Sequence, residues 1–311
     1  MKDSKKKYTI NNASDLETHL PGKLQSWVLA GRPKTLPAAV VPVVVGSALA
    51  VSNGKFFLLY SIIALLCSLF IQIGTNYVND LYDYLKGADN KARKGPVRVL
   101  SSGLITVKEM KLGSFLIFLI AFLMGLYLVY EGGFVILIIG VVSILAGIAY
   151  TAGPYPLAYN GLGDVFVFMF FGIVGTTGTY YLHTHEFSML SLLTSIPVGA
   201  LITNILVVNN FRDIEEDRAA GKRTLAVILG RNFARYQYIF LTVSSFAIPA
   251  VLFFFFNFDY PVFLPYLTFP IAYKLITMLY TYEGLQLNKT LELTAKLSAL
   301  FGILFAAGLI L

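Results

Sequence analysis

Nine long runs of apolar residues dominate the chain, at about 35–52, 56–78, 112–130, 133–150, 162–182, 187–208, 237–257, 260–281 and 294–311. Polar positions gather between the runs rather than alternating within them. Each run is close to the ~20 apolar residues that one membrane-spanning helix needs. Turn-forming residues separate them: Ser52-Asn53-Gly54, Glu131-Gly132-Gly133 and Phe258-Asp259-Tyr260-Pro261. Runs this long and continuous do not suit the short alternating segments of a membrane β-barrel. The pattern predicts an all-α fold, a polytopic bundle of about nine transmembrane helices. Residues 1–26 read as a polar N-terminal segment, in which Ser14 and Glu17 have the spacing of a capping box, and residues 27–311 as one transmembrane domain. After Lys2, Lys5, Lys6 and Lys7 no apolar stretch follows for about two dozen residues, unlike a cleavable signal peptide. Trp27, the only tryptophan, lies beside Arg32 and Lys34 and reads as an interfacial anchor.

Composition agrees with this pattern. Of 311 residues, 57% are apolar and 13% charged, against about 25% charged in a soluble domain. An ordinary soluble domain, a disordered tail and a disulfide-rich module are all excluded, and Cys67 alone can form no intrachain disulfide. The net charge of +7 raises the question of a nucleic-acid partner, but its distribution answers otherwise. With nine crossings, 23 of the 24 Lys and Arg residues fall on one side and only Lys55 on the other. Basic loops face the cytoplasm. The N-terminus is therefore expected inside, the C-terminus outside, and the charge gives no support for nucleic-acid binding. His183 and His185 fall on the outer side, where a loop role is expected.

Two segments break the apolar pattern. One closes the second run, Asn76-Tyr77-Val78-Asn79-Asp80-Leu81-Tyr82-Asp83, and continues to Lys86, Gly87 and Asp89. The other closes the sixth, Asn209-Asn210-Phe211-Arg212-Asp213-Ile214-Glu215-Glu216-Asp217, and continues to Gly221-Lys222-Arg223. Both runs lead from outside to inside, so both segments reach the same face. Asn-x-x-x-Asp recurs in each, and residues four apart share a helix face. Two oxygen-bearing stripes result, separated by four spans, which suggests an internal parallel repeat. Facing carboxylate clusters need positive charge between them. Oxygen-only ligands suit Mg2+ bridged to phosphates. Arg93, Lys94 and Arg98 after one cluster, and Lys222 and Arg223 after the other, could hold the remaining anionic charge. A magnesium-bridged diphosphate in so apolar a protein points to a lipid diphosphate, whose allylic C–O bond breaks as Mg2+ stabilises the leaving group. A secondary transporter is the rival from another class, although its polar residues should lie midway along the spans rather than at one face.

These two segments resemble the UbiA superfamily of intramembrane prenyltransferases, and within it the 1,4-dihydroxy-2-naphthoate polyprenyltransferases, from about Trp27 to Leu311. The landmarks are Arg32-Pro-Lys-Thr-Leu-Pro37, Asn79-Asp-Leu-Tyr-Asp83 with Lys86-Gly87-Ala88-Asp89, and Gly95-Pro96-Val97-Arg98. They continue with Ala149-Tyr150-Thr151-Ala152-Gly153, Gly161-Leu-Gly-Asp164, and Asn209-Asn-Phe-Arg-Asp213 through Asp217 to Gly221-Lys-Arg-Thr-Leu225. The resemblance implies nine helices around a central cavity, in the cell membrane, with the active site at the cytoplasmic face. It implies Mg2+ and polyprenyl diphosphate held between the motifs. The prenyl group would join 1,4-dihydroxy-2-naphthoate with loss of CO2 and diphosphate, giving demethylmenaquinone in menaquinone biosynthesis. A 4-hydroxybenzoate polyprenyltransferase is the nearest alternative within the enzymes. By position, the resemblance implies Asp80, Asp83, Asp213 and Asp217 as catalytic metal-binding carboxylates, with Asp89 as a further ligand. It implies Asn76, Asn79, Lys86, Arg93, Lys94, Arg98, Tyr150, Asn209, Asn210, Arg212 and Lys222 as substrate-binding. Where many relatives carry the last Asp of the first motif, this chain has Gly87, with Asp89 two residues later. Tyr150, Thr151 and Asp164 flank an uncharged loop and are expected near the aromatic acceptor or in helix packing.

Overall fold

A chain with no water to satisfy its backbone must pair every N–H and C=O within its own segment, and helix is the local solution. The computed structural model describes residues 21–88 and 98–311, and among these every regular element is helical. Helix α1 (Lys23–Ala30) leads through a 3-10 turn at Pro33–Thr35 to α2 (Pro37–Ser52). Then come α3 (Leu58–Leu85), α4 (Val107–Ala149), α5 (Gly163–Thr184) and α6 (Met189–Arg212). The short α7 (Ile214–Ala219) precedes α8 (Leu225–Phe256). A 3-10 stretch at Tyr260–Thr268 enters α9 (Phe269–Thr281), and α10 (Leu287–Ile310) closes the described chain. Among the described residues, seven helices are long and apolar enough to cross a membrane. An eighth span is made if α2 is joined to the preceding segment across its 52° bend. The capping box at Ser14 and Glu17 lies outside the described residues.

The 43-residue α4 is a hairpin rather than one rod. Gly133 sits at φ 72°, ψ −163°, a conformation closed to L side chains, so the helix breaks there. The arms return along α3: Gly74 packs against Phe118, and Gly147 against Thr75 one residue on. An unbroken helix would hold Phe118 and Gly147 about 44 Å apart, so the chain doubles back at Gly133. The apolar runs at 112–130 and 133–150 are the two arms.

The main core lies where α2, α5, α6, α8, α9 and α10 meet, around Leu49, Leu201, Phe211, Tyr238, Leu275 and Phe301. Backbones approach closely across α5 and α6, where a Cβ added to Gly172 would stand 2.6 Å from the Cα of Gly199. Outer faces of α3, α4 and α8 carry exposed Ile62, Phe115, Leu119, Phe240 and Val243, a surface suited to lipid tails. The protein is an integral membrane protein.

Trp27 is half-buried and packs over Gly113, 5.2 Å from the Tyr77 ring, because Gly113 leaves space for the indole. One local expectation changes. His183 is buried in the last turn of α5 rather than in a loop. Its Nδ1 accepts from the Phe57 N–H at 3.2 Å, and its Nε2 lies 3.0 Å from Ser61 Oγ.

Candidate functional site

A cavity of about 1160 Å³ runs into the bundle, with polar residues at one end and apolar walls beyond. The polar end begins with α3, which stays helical through the first acidic segment to Leu85. It stops where Gly87 takes φ 71° and the Ala88 N–H reaches back to the Asp83 carbonyl. Asn76, Asn79, Asp80 and Asp83 are therefore carried on successive turns, and all four are buried.

Their neighbours come from four other parts of the chain. Arg98 donates from NH1 to Asp80 Oδ1 at 3.0 Å and from NH2 to Asp83 Oδ2 at 3.5 Å. Lys222 Nζ lies 3.1 Å from Asp83 Oδ1, which also accepts from the Tyr159 hydroxyl at 2.8 Å. Arg32 NH2 stands 3.9 Å from Asp80 Oδ1. Thr151 Oγ1 donates to Asn79 Oδ1 at 2.9 Å, and Asn76 Nδ2 donates to Gly31 O and Thr35 Oγ1, tying the Arg32 turn to α3. Lys86 donates to Thr151 O at 2.8 Å, and both Lys86 and Lys222 lie over the Tyr159 ring, at 4.4 and 4.7 Å. Burial holds the Lys86 ammonium below the usual lysine range, with Asp83 acting against it.

The second segment carries its stripe across a helix junction. Helix α6 ends at Arg212, and Asp213 sits at the junction with α7 at φ −98°, ψ 13°. Four-residue hydrogen bonds still cross the junction, from Asp213 N–H to Asn209 O and from Asp217 N–H to Asp213 O. Asn209, Asn210, Asp213 and Asp217 all line the cavity with Asn79, Asp83, Arg98 and Lys222. Arg212 turns inward instead, chelating both oxygens of Asp213 at 2.6 Å each. Asp89, Arg93 and Lys94 lie outside the described residues.

Three contributors were not singled out as site residues from the sequence. Arg32 reaches Asp80 through a left-handed turn at φ 49° ahead of Pro33. Tyr159 is delivered by the uncharged loop, which Gly153 and Gly161 turn with positive φ; its carbonyl accepts from the Arg223 N–H at 2.9 Å. Asn288 at the start of α10 accepts from Arg212 NH1 at 2.7 Å. For Arg32 the signal was present in the Arg-Pro-Lys-Thr-Leu-Pro landmark; Tyr159 and Asn288 depend on long-range packing.

The donor set is entirely oxygen at Asp80, Asp83, Asp213 and Asp217. Oxygen donors suit Mg2+, which commonly takes one or two carboxylates and completes its shell with phosphate oxygens and water. Among the described residues no three His, Cys, Asp or Glu groups converge on one point. Cationic groups already stand 3.0–3.5 Å from the Asp80 and Asp83 oxygens; Asp83 lines the cavity with Asp213 and Asp217, whereas Asp80 is buried behind that wall against Arg98. The residues fit such an ion.

Beyond the polar end the walls are apolar. Cys67 and Ile71 of α3, Phe122, Leu126, Ile139 and Val141 of the α4 hairpin, and Phe166 and Phe170 of α5 line it. Phe122, Leu126 and Val141 are exposed residues as well as lining ones.

Comparison with known proteins gives a consistent picture. The profile of the UbiA prenyltransferase family matches residues 39–306. A 1,4-dihydroxy-2-naphthoate octaprenyltransferase of Haemophilus influenzae is 37% identical over 304 residues, covering 93% of this chain and 97% of the relative. Its Escherichia coli counterpart is 40% identical over 231 residues, 72% of this chain and 74% of the relative. A UbiA homolog from Archaeoglobus fulgidus, solved bound to DMAPP and Mg2+, superposes with a TM-score of 0.65 at 15% identity. That match covers 90% of this chain and 99% of the homolog.

Proposed function

The chain belongs to the UbiA prenyltransferase family, and we propose that it transfers a polyprenyl group from polyprenyl diphosphate to 1,4-dihydroxy-2-naphthoate in menaquinone biosynthesis. The observation that carries this reading is the junction of Asp83 with Lys222. It brings two acidic segments from distant parts of the sequence to one end of a cavity that is otherwise apolar.

Each part of the site then has a task. Asp80 and Asp83 on α3, and Asp213 and Asp217 across the cavity, would hold Mg2+ with one or two carboxylates to an ion, and the metal would supply neutralisation of the diphosphate as it leaves. Arg98 and Lys222 bind phosphate oxygens, and Lys86 adds charge beside Tyr159. Asn76, Asn79, Asn209 and Asn210 orient the polar head. The apolar walls take the prenyl tail and exclude water from the allylic cation. The C–O bond breaks with its electron pair going to diphosphate. The carboxyl-bearing ring carbon then bonds to the prenyl C1, and loss of CO2 returns the C–C electron pair to the ring. The immediate product is the prenylated hydroquinone, the reduced form of demethylmenaquinone. Tyr150, which lines the cavity with Asp83, Asp164 and Asp217, faces the acceptor.

The proposal includes nine crossings, with the acidic end in the cytoplasm and the C-terminus outside. The Gly133 break supports the count by dividing α4 into two arms, and the one-sided placement of Lys and Arg supports the orientation. The test is a paired-acceptor assay on purified protein with Mg2+ and a polyprenyl diphosphate. Dihydroxynaphthoate is expected to be prenylated with release of CO2, and 4-hydroxybenzoate left unchanged. Turnover of 4-hydroxybenzoate instead, or activity surviving in Asp80→Ala and Asp213→Ala, would overturn it.

A further inference from the structure

Arg212 lies within a segment whose neighbours face the cavity, yet its side chain is only 1% exposed. Each of its three nitrogens donates to a protein partner. Nε and NH2 grip the two Asp213 oxygens, NH2 also donates to Asn209 Oδ1 at 2.9 Å, and NH1 donates to Asn288 Oδ1 at 2.7 Å. Two of these partners close α6, whereas the third opens α10, 76 residues away in sequence. The planar guanidinium fork can bind a carboxylate on one edge while another N–H points to a separate acceptor, which an ammonium cannot reproduce. Asn288, Lys289 and Glu292 of α10 line the same cavity as Asp213 and Asp217.

We propose that Arg212 is a positioning residue that meets no substrate atom. It fixes the Asp213 carboxylate and the Asn209 amide, and through Asn288 it ties them to the α10 wall of the cavity. The acidic junction and the opposing wall thus move as one body. The kinetic part of this inference rests on the prenyl diphosphate reading of the site; the tether itself does not.

The test compares Asn288→Ala, Asn288→Asp and Arg212→Lys in full-length protein, by steady-state kinetics and by hydrogen–deuterium exchange of the peptide spanning 286–292. Exchange in Asn288→Ala is expected to quicken about tenfold, because the first turn of α10 loses its anchor. Its kcat should fall about tenfold while the KM for prenyl diphosphate stays within about twofold, the pattern of misplaced rather than missing binding groups. Asn288→Asp, which still accepts from the guanidinium, should restore both exchange and kcat. Arg212→Lys should resemble Asn288→Ala. A tenfold rise in KM with unchanged kcat and exchange would make Arg212 a substrate ligand and overturn the inference, as would an Asn288→Ala protein identical to wild type. Exchange is read without substrate. Failure of the acceptor assay with a positive exchange result therefore removes the reaction and leaves the tether standing.

Discussion

Asp83 is where the two halves of the site meet, so Asp83→Asn is the most informative single change. The amide keeps the shape and can still accept from Tyr159, while the negative charge is lost. Lys222 and Arg98 stand 3.1 and 3.5 Å from the Asp83 oxygens, the range at which a cation in this cavity is held. At 3.3 Å and an effective dielectric of about 20, a unit charge pair is worth about 5 kcal/mol. Desolvation opposes that attraction, and a net loss of about 2–4 kcal/mol corresponds to about a 30- to 1,000-fold fall in kcat/KM. The assay is prenylation of dihydroxynaphthoate in detergent at saturating Mg2+, with a thermal melt to verify folding. Glu131→Gln is the matched control. It removes the same charge at the hairpin tip of α4, beside the Gly133 break, where Glu131 accepts from Tyr60 at 2.7 Å, and should leave kcat/KM within about twofold. A folded Asp83→Asn enzyme retaining more than about a third of wild-type kcat/KM would refute the reasoning, because the charge would then contribute under about 1 kcal/mol.

Three further outcomes follow from the geometry. Chelation should abolish turnover and Mg2+ restore it, checked by the same product assay with the metal added back. Gly140→Leu places a side chain where an added Cβ meets no atom within 4 Å, inside the apolar wall. It should lower kcat/KM for long polyprenyl diphosphates more than for geranyl diphosphate, read as a ratio in direct competition. Gly133→Val forces a branched side chain into a positive-φ hinge at a cost of about 1–3 kcal/mol, seen as a lower melting temperature with kcat per folded molecule retained.

The acidic segments were legible in the sequence because their spacing is local: four residues make one helical turn wherever the helix goes. Asp80 and Asp83 accordingly sit on successive turns of α3, buried as membrane-depth carboxylates with partners should be. In the second segment the spacing again keeps Asn209, Asp213 and Asp217 on one wall, through four-residue hydrogen bonds that cross the helix junction. Nothing in that spacing says that Arg212 will close on the next residue instead of facing the cavity. Tyr159 illustrates a second limit. Its loop carries no charge, and its value lies in reaching Asp83 and spacing two lysines, which depends on a hydrogen bond from Arg223 more than sixty residues later. The hairpin in α4 was visible as two apolar runs parted at Glu131-Gly132-Gly133, and it is Gly133, with its positive φ, that breaks the helix there.

The cavity wall that includes exposed Phe122, Leu126 and Val141 changes what concentration means for this enzyme. A prenyl diphosphate whose tail rests in the bilayer is sampled in two dimensions, and the protein meets it by lateral diffusion. Its effective supply is a mole fraction among lipids, not an amount per litre. Adding detergent at constant total substrate therefore dilutes one reactant and leaves the water-borne naphthoate untouched. Rates measured in micelles of different size should coincide only when plotted against the surface density of the prenyl substrate.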